Sequence, residues 1–164
     1  MSTMDKLKNA FAGESQANRK YLAYAKRADQ DNLPGVAKLF RAAAHAETIH
    51  AHNHLRAMGG IGDTVTNLKD AVGGENFEFT KMYPPYVEEA KKEGHAAAER
   101  SFAGAMAVEK THFDLYSAAL ASAQTGKDIA AKTFYVCPVC GHTVADGHPD
   151  KCPVCGAVKW DEVV

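Results

Sequence analysis

Between residues 4 and 125 apolar side chains recur at steps of three and four, the period of a helix that buries one face. Breakers divide this run. Asn32-Leu33-Pro34-Gly35 closes a first helix over about 4–30, and Gly59-Gly60-Ile61-Gly62-Asp63 stops a second over about 35–58. A third is expected to start from an Asn67 N-cap with Asp70 in its first turn, to kink at Pro84-Pro85 and to end near Gly94. A fourth spans about 95–124 and ends before Gly126. From Thr133 the helical period vanishes, and Val, Phe, Tyr, Cys, Pro and Gly predict short strands over 134–136, 142–144 and 159–162. The pattern therefore predicts an all-α four-helix bundle over 1–126 and a small β-containing tail, with its connecting segment, over 127–164.

Each helical stripe carries a residue that does not belong in a core. The first runs Leu7, Phe11, Glu14, Tyr21; the second Val36, Phe40, Ala43, Glu47, His50, His54. The third runs Leu68, Ala71, Glu75, Glu78, Met82; the fourth Phe102, Ala105, Glu109, His112, Tyr116, Ala119. A lone carboxylate in an apolar interior costs several kcal/mol or stays protonated, and several facing one another repel. Cations resolve both problems: two divalent ions would neutralise four of the charges on Glu14, Glu47, Glu75, Glu78 and Glu109. Glu47-Thr-Ile-His50 and Glu109-Lys-Thr-His112 are both Glu-x-x-His, which puts both side chains on one helix face. One such pair is usually a solvated helix contact; two, on separate helices and on core stripes, match the carboxylate-bridged dimetal bundle. Mixed carboxylate and imidazole donors suit iron or manganese. His45, His52, His95, His142 and His148 are expected at the surface, while His54, on the second stripe one turn past His50, is ambiguous and can be a satisfied core histidine. Tyr21, Met82, Tyr83 and Tyr116 read as core, with Tyr21 or Tyr83 able to donate a hydrogen bond to a metal-bound carboxylate.

The four cysteines form a second constellation. Cys137-Pro-Val-Cys140-Gly and Cys152-Pro-Val-Cys155-Gly are two knuckles of the kind that hold a tetrahedral metal. A tail of this size builds little core of its own, so the metal must supply most of its folding energy. Spacing alone accepts zinc or iron. Net charge is −1, from 19 basic and 20 acidic side chains, which disfavours general binding to nucleic acid or anionic membrane. No run of apolar residues is long enough for a membrane span, and the first residues lack a signal-peptide core, so a cytoplasmic address is expected.

Together these residues resemble the rubrerythrin family over nearly the whole chain. Phe11-Ala-Gly-Glu14-Ser-Gln-Ala resembles the family's first ligand segment and Glu47-Thr-Ile-His50 its second. Gly74-Glu75-Asn-Phe-Glu78-Phe-Thr-Lys-Met82-Tyr83-Pro84 resembles the third, Ala107-Val-Glu109-Lys-Thr-His112 the fourth, and the tail the rubredoxin-like module. The resemblance implies a ferritin-like bundle holding two irons through Glu14, Glu47, His50, Glu75, Glu78, Glu109 and His112. It also implies one mononuclear iron on Cys137, Cys140, Cys152 and Cys155, rather than zinc. Glu47 and Glu109 would bridge, Glu14 and Glu75 would be terminal ligands, and Glu78 and His50 would exchange on one iron as it is reduced. The implied activity is reduction of hydrogen peroxide to water. Electrons would come from a separate rubredoxin or NAD(P)H-dependent reductase, since no Gly-rich dinucleotide fingerprint is present.

The crossover between the second and third helices looks too short to run back along helices of about 30 Å. We therefore expect a homodimer with swapped helices, Glu14, Glu47 and His50 coming from one chain and Glu75, Glu78, Glu109 and His112 from the other. Two alternatives stand beside the peroxidase: a ferritin-like ferroxidase that binds iron, and an adaptor with an inert bundle and a zinc tail.

Overall fold

The computed structural model describes residues 1–163. The chain divides into two compact units, the first running to Gly62 and the second from Asp63 onward. Helix and strand ends fall close to the breakers in the sequence, and the differences have local causes.

The first unit is an antiparallel hairpin of α1 (Thr3–Gln30) and α2 (Pro34–Ala57). A capping box starts α1: Ser2 accepts from the backbone N–H of Asp5, and the Asp5 carboxylate accepts from the N–H of Ser2. Asn32 turns the chain at φ +58°, and Pro34 then opens α2, where its missing N–H costs nothing. The hairpin closes on small residues. Ala25 and Ala28 of α1 and Ala37, Ala44 and Ala51 of α2 are buried, the last three at intervals of seven. Side chains this small let two helices approach closely along one seam. Asn18 is buried in that seam and donates to the Ala44 carbonyl (2.7 Å) and to the Thr48 hydroxyl (2.8 Å). The stripe carrying Glu14 and Glu47 lies on a neighbouring face and is only half-buried.

The second unit begins at α3 (Thr64–Phe77). Its N-cap is Asp63, whose carboxylate accepts from the Thr66 N–H at 2.8 Å, rather than the expected Asn67. Asp63 follows a glycine-rich link and reaches the open N–H groups first. The proline kink takes the form of a π turn, Glu78–Met82, that leads straight into α4 (Tyr83–Lys92). Pro84 and Pro85 cannot donate to the carbonyls one turn back, and the widened turn accommodates that loss within the first turn of α4. Gly94, at φ +69°, ends the rod, and α5 (Ala96–Gln124) returns along it from an N-cap at His95.

The tail folds as a small antiparallel sheet in the order β2-β1-β3, with β1 Phe134–Val136, β2 Thr143–Ala145 and β3 Asp161–Val163. Phe134 faces Ala145 and Val163, and Val136 faces Thr143 and Asp161. The two outer strands start later than the sequence pattern predicts. His142 belongs to the first knuckle, because its carbonyl accepts the Cys137 N–H at 2.9 Å. Trp160 is held outside the sheet by its indole N–H, which donates to the Pro149 carbonyl. His142 is also buried rather than exposed, a correction to the surface assignment. Among the described residues no helix is long and apolar enough to cross a membrane.

Candidate metal centres

In the first unit, Glu14 from α1 and Glu47 and His50 from α2 bring one ligand atom each within 4.8 Å of one another. His50 Nδ1 lies 2.9 Å from Glu47 Oε2, the contact that i, i+3 spacing allows. The imidazole of His50 is 54% exposed while Glu47 is largely covered, so this group opens outward at its histidine.

In the second unit, Glu75 from α3 and Glu109 and His112 from α5 converge in the same way. His112 Nδ1 sits 3.0 Å from Glu109 Oε2 and 3.8 Å from Glu75 Oε2. Glu75 Oε2 is buried and has no hydrogen-bond partner, which is costly for a carboxylate oxygen unless a cation occupies the space before it. Burial pushes the Glu75 carboxyl up to about 7, and the adjacent Glu109 carboxylate adds to the shift. Burial likewise raises Glu78, with repulsion from Glu109 acting the same way and His112 opposing. Glu78 stands within electrostatic reach of this group but outside its converging ligand atoms. Tyr83 is raised by burial and then by the charges of Glu109, Glu78 and Glu75, so its phenol stays a neutral hydrogen-bond donor beside three carboxylates.

The donor set fits divalent iron. Each group is oxygen-rich with one imidazole and lies in a half-buried place, and the second leaves one oxygen orphaned.

The cysteine site fits a tetrahedral metal more directly. Cys137, Cys140, Cys152 and Cys155 are free thiols whose sulfurs lie within 4.8 Å of one another. Cys137 and Cys155 are 3.5 Å apart and Cys140 and Cys152 3.6 Å, close to the ~3.8 Å edge of a tetrahedron with metal–sulfur bonds of about 2.3 Å. Gly141 (φ +84°) and Gly156 (φ +77°) turn each knuckle, and their N–H groups donate to the Cys137 and Cys152 carbonyls. A side chain at either place would strain the left-handed turn. Burial works against ionisation of Cys137, but the N–H groups of Cys140 and Val139 and a bond from Cys155 bring that thiol down to about 7. Burial pushes Cys140 up to about 12, with the His142 N–H as the opposing donor. One thiolate is thus ready at neutral pH, and the others lose their protons to the metal.

Sequence reasoning missed two threonines beside these groups. Thr143 Oγ1 meets His112 Nε2 at 3.0 Å, and Thr111 Oγ1 meets His142 Nδ1 at 3.3 Å. Both contacts join the tail to α5. The only hint in the sequence was the His-Thr pair that follows the first knuckle directly, and nothing in the periodicity marked it.

The description "Rubrerythrin" belongs to the family model that matches residues 5–120, and "Rubrerythrin, rubredoxin-like domain" to the one that matches residues 135–161. The chain is 38% identical to Rubrerythrin-2 of Clostridium acetobutylicum over 96% of its own length and 93% of that protein's. It is 33% identical to nigerythrin of Nitratidesulfovibrio vulgaris, covering 94% of this chain and 82% of that one. Among solved structures it resembles the fully reduced, all-ferrous state of nigerythrin, with a TM-score of 0.58 and 30% identity over 99% of this chain and 87% of that chain.

Proposed function

This chain belongs to the rubrerythrin family, iron-binding oxidoreductases with a ferritin-like fold, and from that premise we propose that it reduces hydrogen peroxide to water. The observation that carries the reading is the pairing, in one compact unit, of a carboxylate–imidazole group with an orphaned oxygen and a four-cysteine site. A protein that only stored iron would have no use for the second.

Bound iron supplies the redox chemistry: two one-electron donors side by side provide the two electrons that, with two protons, convert one peroxide into two waters. The residues do the rest. Glu47 and Glu109 would bridge the metal pair, Glu14 and Glu75 would cap it, and His112 would hold one metal through Nδ1. Glu78 and His50 would alternate on the other, matching ligand charge to metal charge. Burial and the neighbouring carboxylates keep the Tyr83 phenol un-ionised beside the site. The four cysteines would hold the iron that takes electrons one at a time from a separate rubredoxin or NAD(P)H-dependent reductase.

We place the ligands of one site on two copies of the chain. At 1.5 Å per residue α2 is about 36 Å long, whereas residues 58–63 reach roughly 20 Å when extended. That link cannot cross back along a helix of this length. A second copy's α1–α2 hairpin would bring Glu14, Glu47 and His50 to Glu75, Glu78, Glu109 and His112. The second unit also holds an apolar groove of about 560 Å3, lined by Leu68, Leu115, Tyr116 and Ala119 with His112 on its wall, and such a hairpin would cover it.

The test is an anaerobic reduction followed by one equivalent of hydrogen peroxide, read in the visible spectrum of the cysteine-bound iron. Rapid return of the ferric-thiolate colour, blocked by Glu109→Ala, is the expected result. Colour that stays bleached in the native protein would overturn the peroxidase and favour iron handling.

A further inference from the structure

The contacts of the Thr143 hydroxyl favour one placement of the proton on the His112 ring. The Thr143 hydroxyl donates to the Gly141 carbonyl at 3.0 Å, so its single proton is used there. Toward His112 Nε2, also 3.0 Å away, the hydroxyl oxygen can only accept. In that arrangement Nε2 is the N–H nitrogen, and the neutral ring leaves Nδ1 its lone pair. That lone pair faces Glu109 Oε2 at 3.0 Å and Glu75 Oε2 at 3.8 Å. Three acceptors aimed at one point repel one another unless a proton or a metal cation lies between them.

Thr143 is itself held by the first cysteine knuckle. The His142 N–H donates to the Cys140 sulfur, and the His142 carbonyl accepts the Cys137 N–H. The His142 ring is buried and meets Thr111, the residue before His112, at 3.3 Å. From the Cys140 sulfur one hydrogen bond, the backbone from His142 to Thr143 and a second hydrogen bond lead to the imidazole of His112. Neither Thr111 nor Thr143 touches the point where the three ligand atoms converge.

We propose that Thr143 is a positioning residue for His112, setting the tautomer and ring orientation that present Nδ1 to a divalent cation, so that an ordered cysteine knuckle strengthens metal binding at the carboxylate group. The inference rests on reading Glu75, Glu109 and His112 as ligands. Outer partners of this kind typically alter metal affinity by 10- to 100-fold.

The experiment uses the full-length protein with iron kept in the cysteine site and the carboxylate site emptied by a chelator. Cobalt(II) is titrated in and followed by its d–d absorption. Thr143→Val, which keeps the shape and removes the acceptor, should weaken cobalt binding by about 10- to 100-fold, and Thr143→Ser should stay within about threefold of the native chain. The ferric-thiolate spectrum reports in each variant that the knuckle is intact. Native affinity in Thr143→Val with that spectrum unchanged would overturn the proposal. Should Thr143→Val lose its tail iron, the native protein loaded with zinc decides. Long-range nitrogen–proton correlations must place the His112 proton on Nε2, and a proton on Nδ1 refutes the assignment. Absence of cobalt binding in the native protein would sink the ligand reading and this inference together, whereas binding that ignores Thr143 sinks only the inference.

Discussion

With Glu75 as a proposed ligand, its buried carboxyl should make metal uptake a proton-releasing event with a defined pH window. In the metal-free fold this group is pushed up to about 7 from 4.5, by burial first and by Glu109 second. A metal ligand must be deprotonated, so the proton held there has to leave. With a value of 7 the group is about 90% protonated at pH 6 and about 10% at pH 8. Binding should therefore release about 0.9 proton from this site at pH 6 and about 0.1 at pH 8. The apparent dissociation constant scales as one plus ten to the power of 7 minus pH, which makes binding about tenfold weaker at pH 6 than at pH 8, or about 1.4 kcal/mol. Glu78, raised by burial, acts in the same direction. The assay is calorimetric titration of cobalt(II) into the chelated protein in two buffers of different protonation enthalpy, which counts the protons. Imidazole ligands release protons as well, so the quantity to read is the difference between the native chain and Glu75→Gln. If Glu75→Gln releases as many protons at pH 6 as the native protein, the electrostatic account of Glu75 is wrong.

The same carboxyl governs stability without metal. Its folded value lies above its unfolded one, so its contribution is present below about 4.5 and is lost as pH rises through about 7. Metal-free Glu75→Gln should thus be more stable than the native chain at pH 8 and about equal to it at pH 4.5 in urea melts; an equal advantage at both would refute this. Asn18→Ala removes two hydrogen bonds from the seam of the first hairpin and should cost about 1–3 kcal/mol in the same melts. Asp63→Ala removes the cap of α3 and should cost about 1 kcal/mol. Inserting about ten Gly and Ser residues after Gly60 would let one chain span its own bundle, since such a link reaches tens of ångströms. Sedimentation should then shift from dimer to monomer, and an unchanged mass in both proteins would tell against helix exchange.

The sequence disclosed the chemistry of this protein more fully than its packing. Periodicity is a local property, and it located the helices to within a few residues because Pro34, the Gly59-Gly60 pair and Gly94 punctuate the chain where the backbone must turn. It also exposed Glu14, Glu47, Glu75 and Glu109, since a charge on an apolar stripe is visible without coordinates. The two cysteine knuckles needed only spacing and their glycines, and their sulfurs stand at tetrahedral separations. Where two residues compete for one role, the pattern was a weaker guide. Asp63 took the N-cap expected of Asn67 because it lies at the exit of the link, and the prolines were absorbed by a π turn just before them.

What the sequence could not contain is contact between distant segments. Burial of His142, the seam bonds of Asn18 and the hydroxyl of Thr143 on His112 join residues 26 to 31 positions apart. The period names none of these partners, and each contact exists because folding brings a polar atom to another that water would otherwise have satisfied. The candidate metal donors were legible in the order of residues, whereas the contact of Thr143 with His112 and the raised carboxyl of Glu75 arose only when the tertiary structure removed water and set one dipole against another.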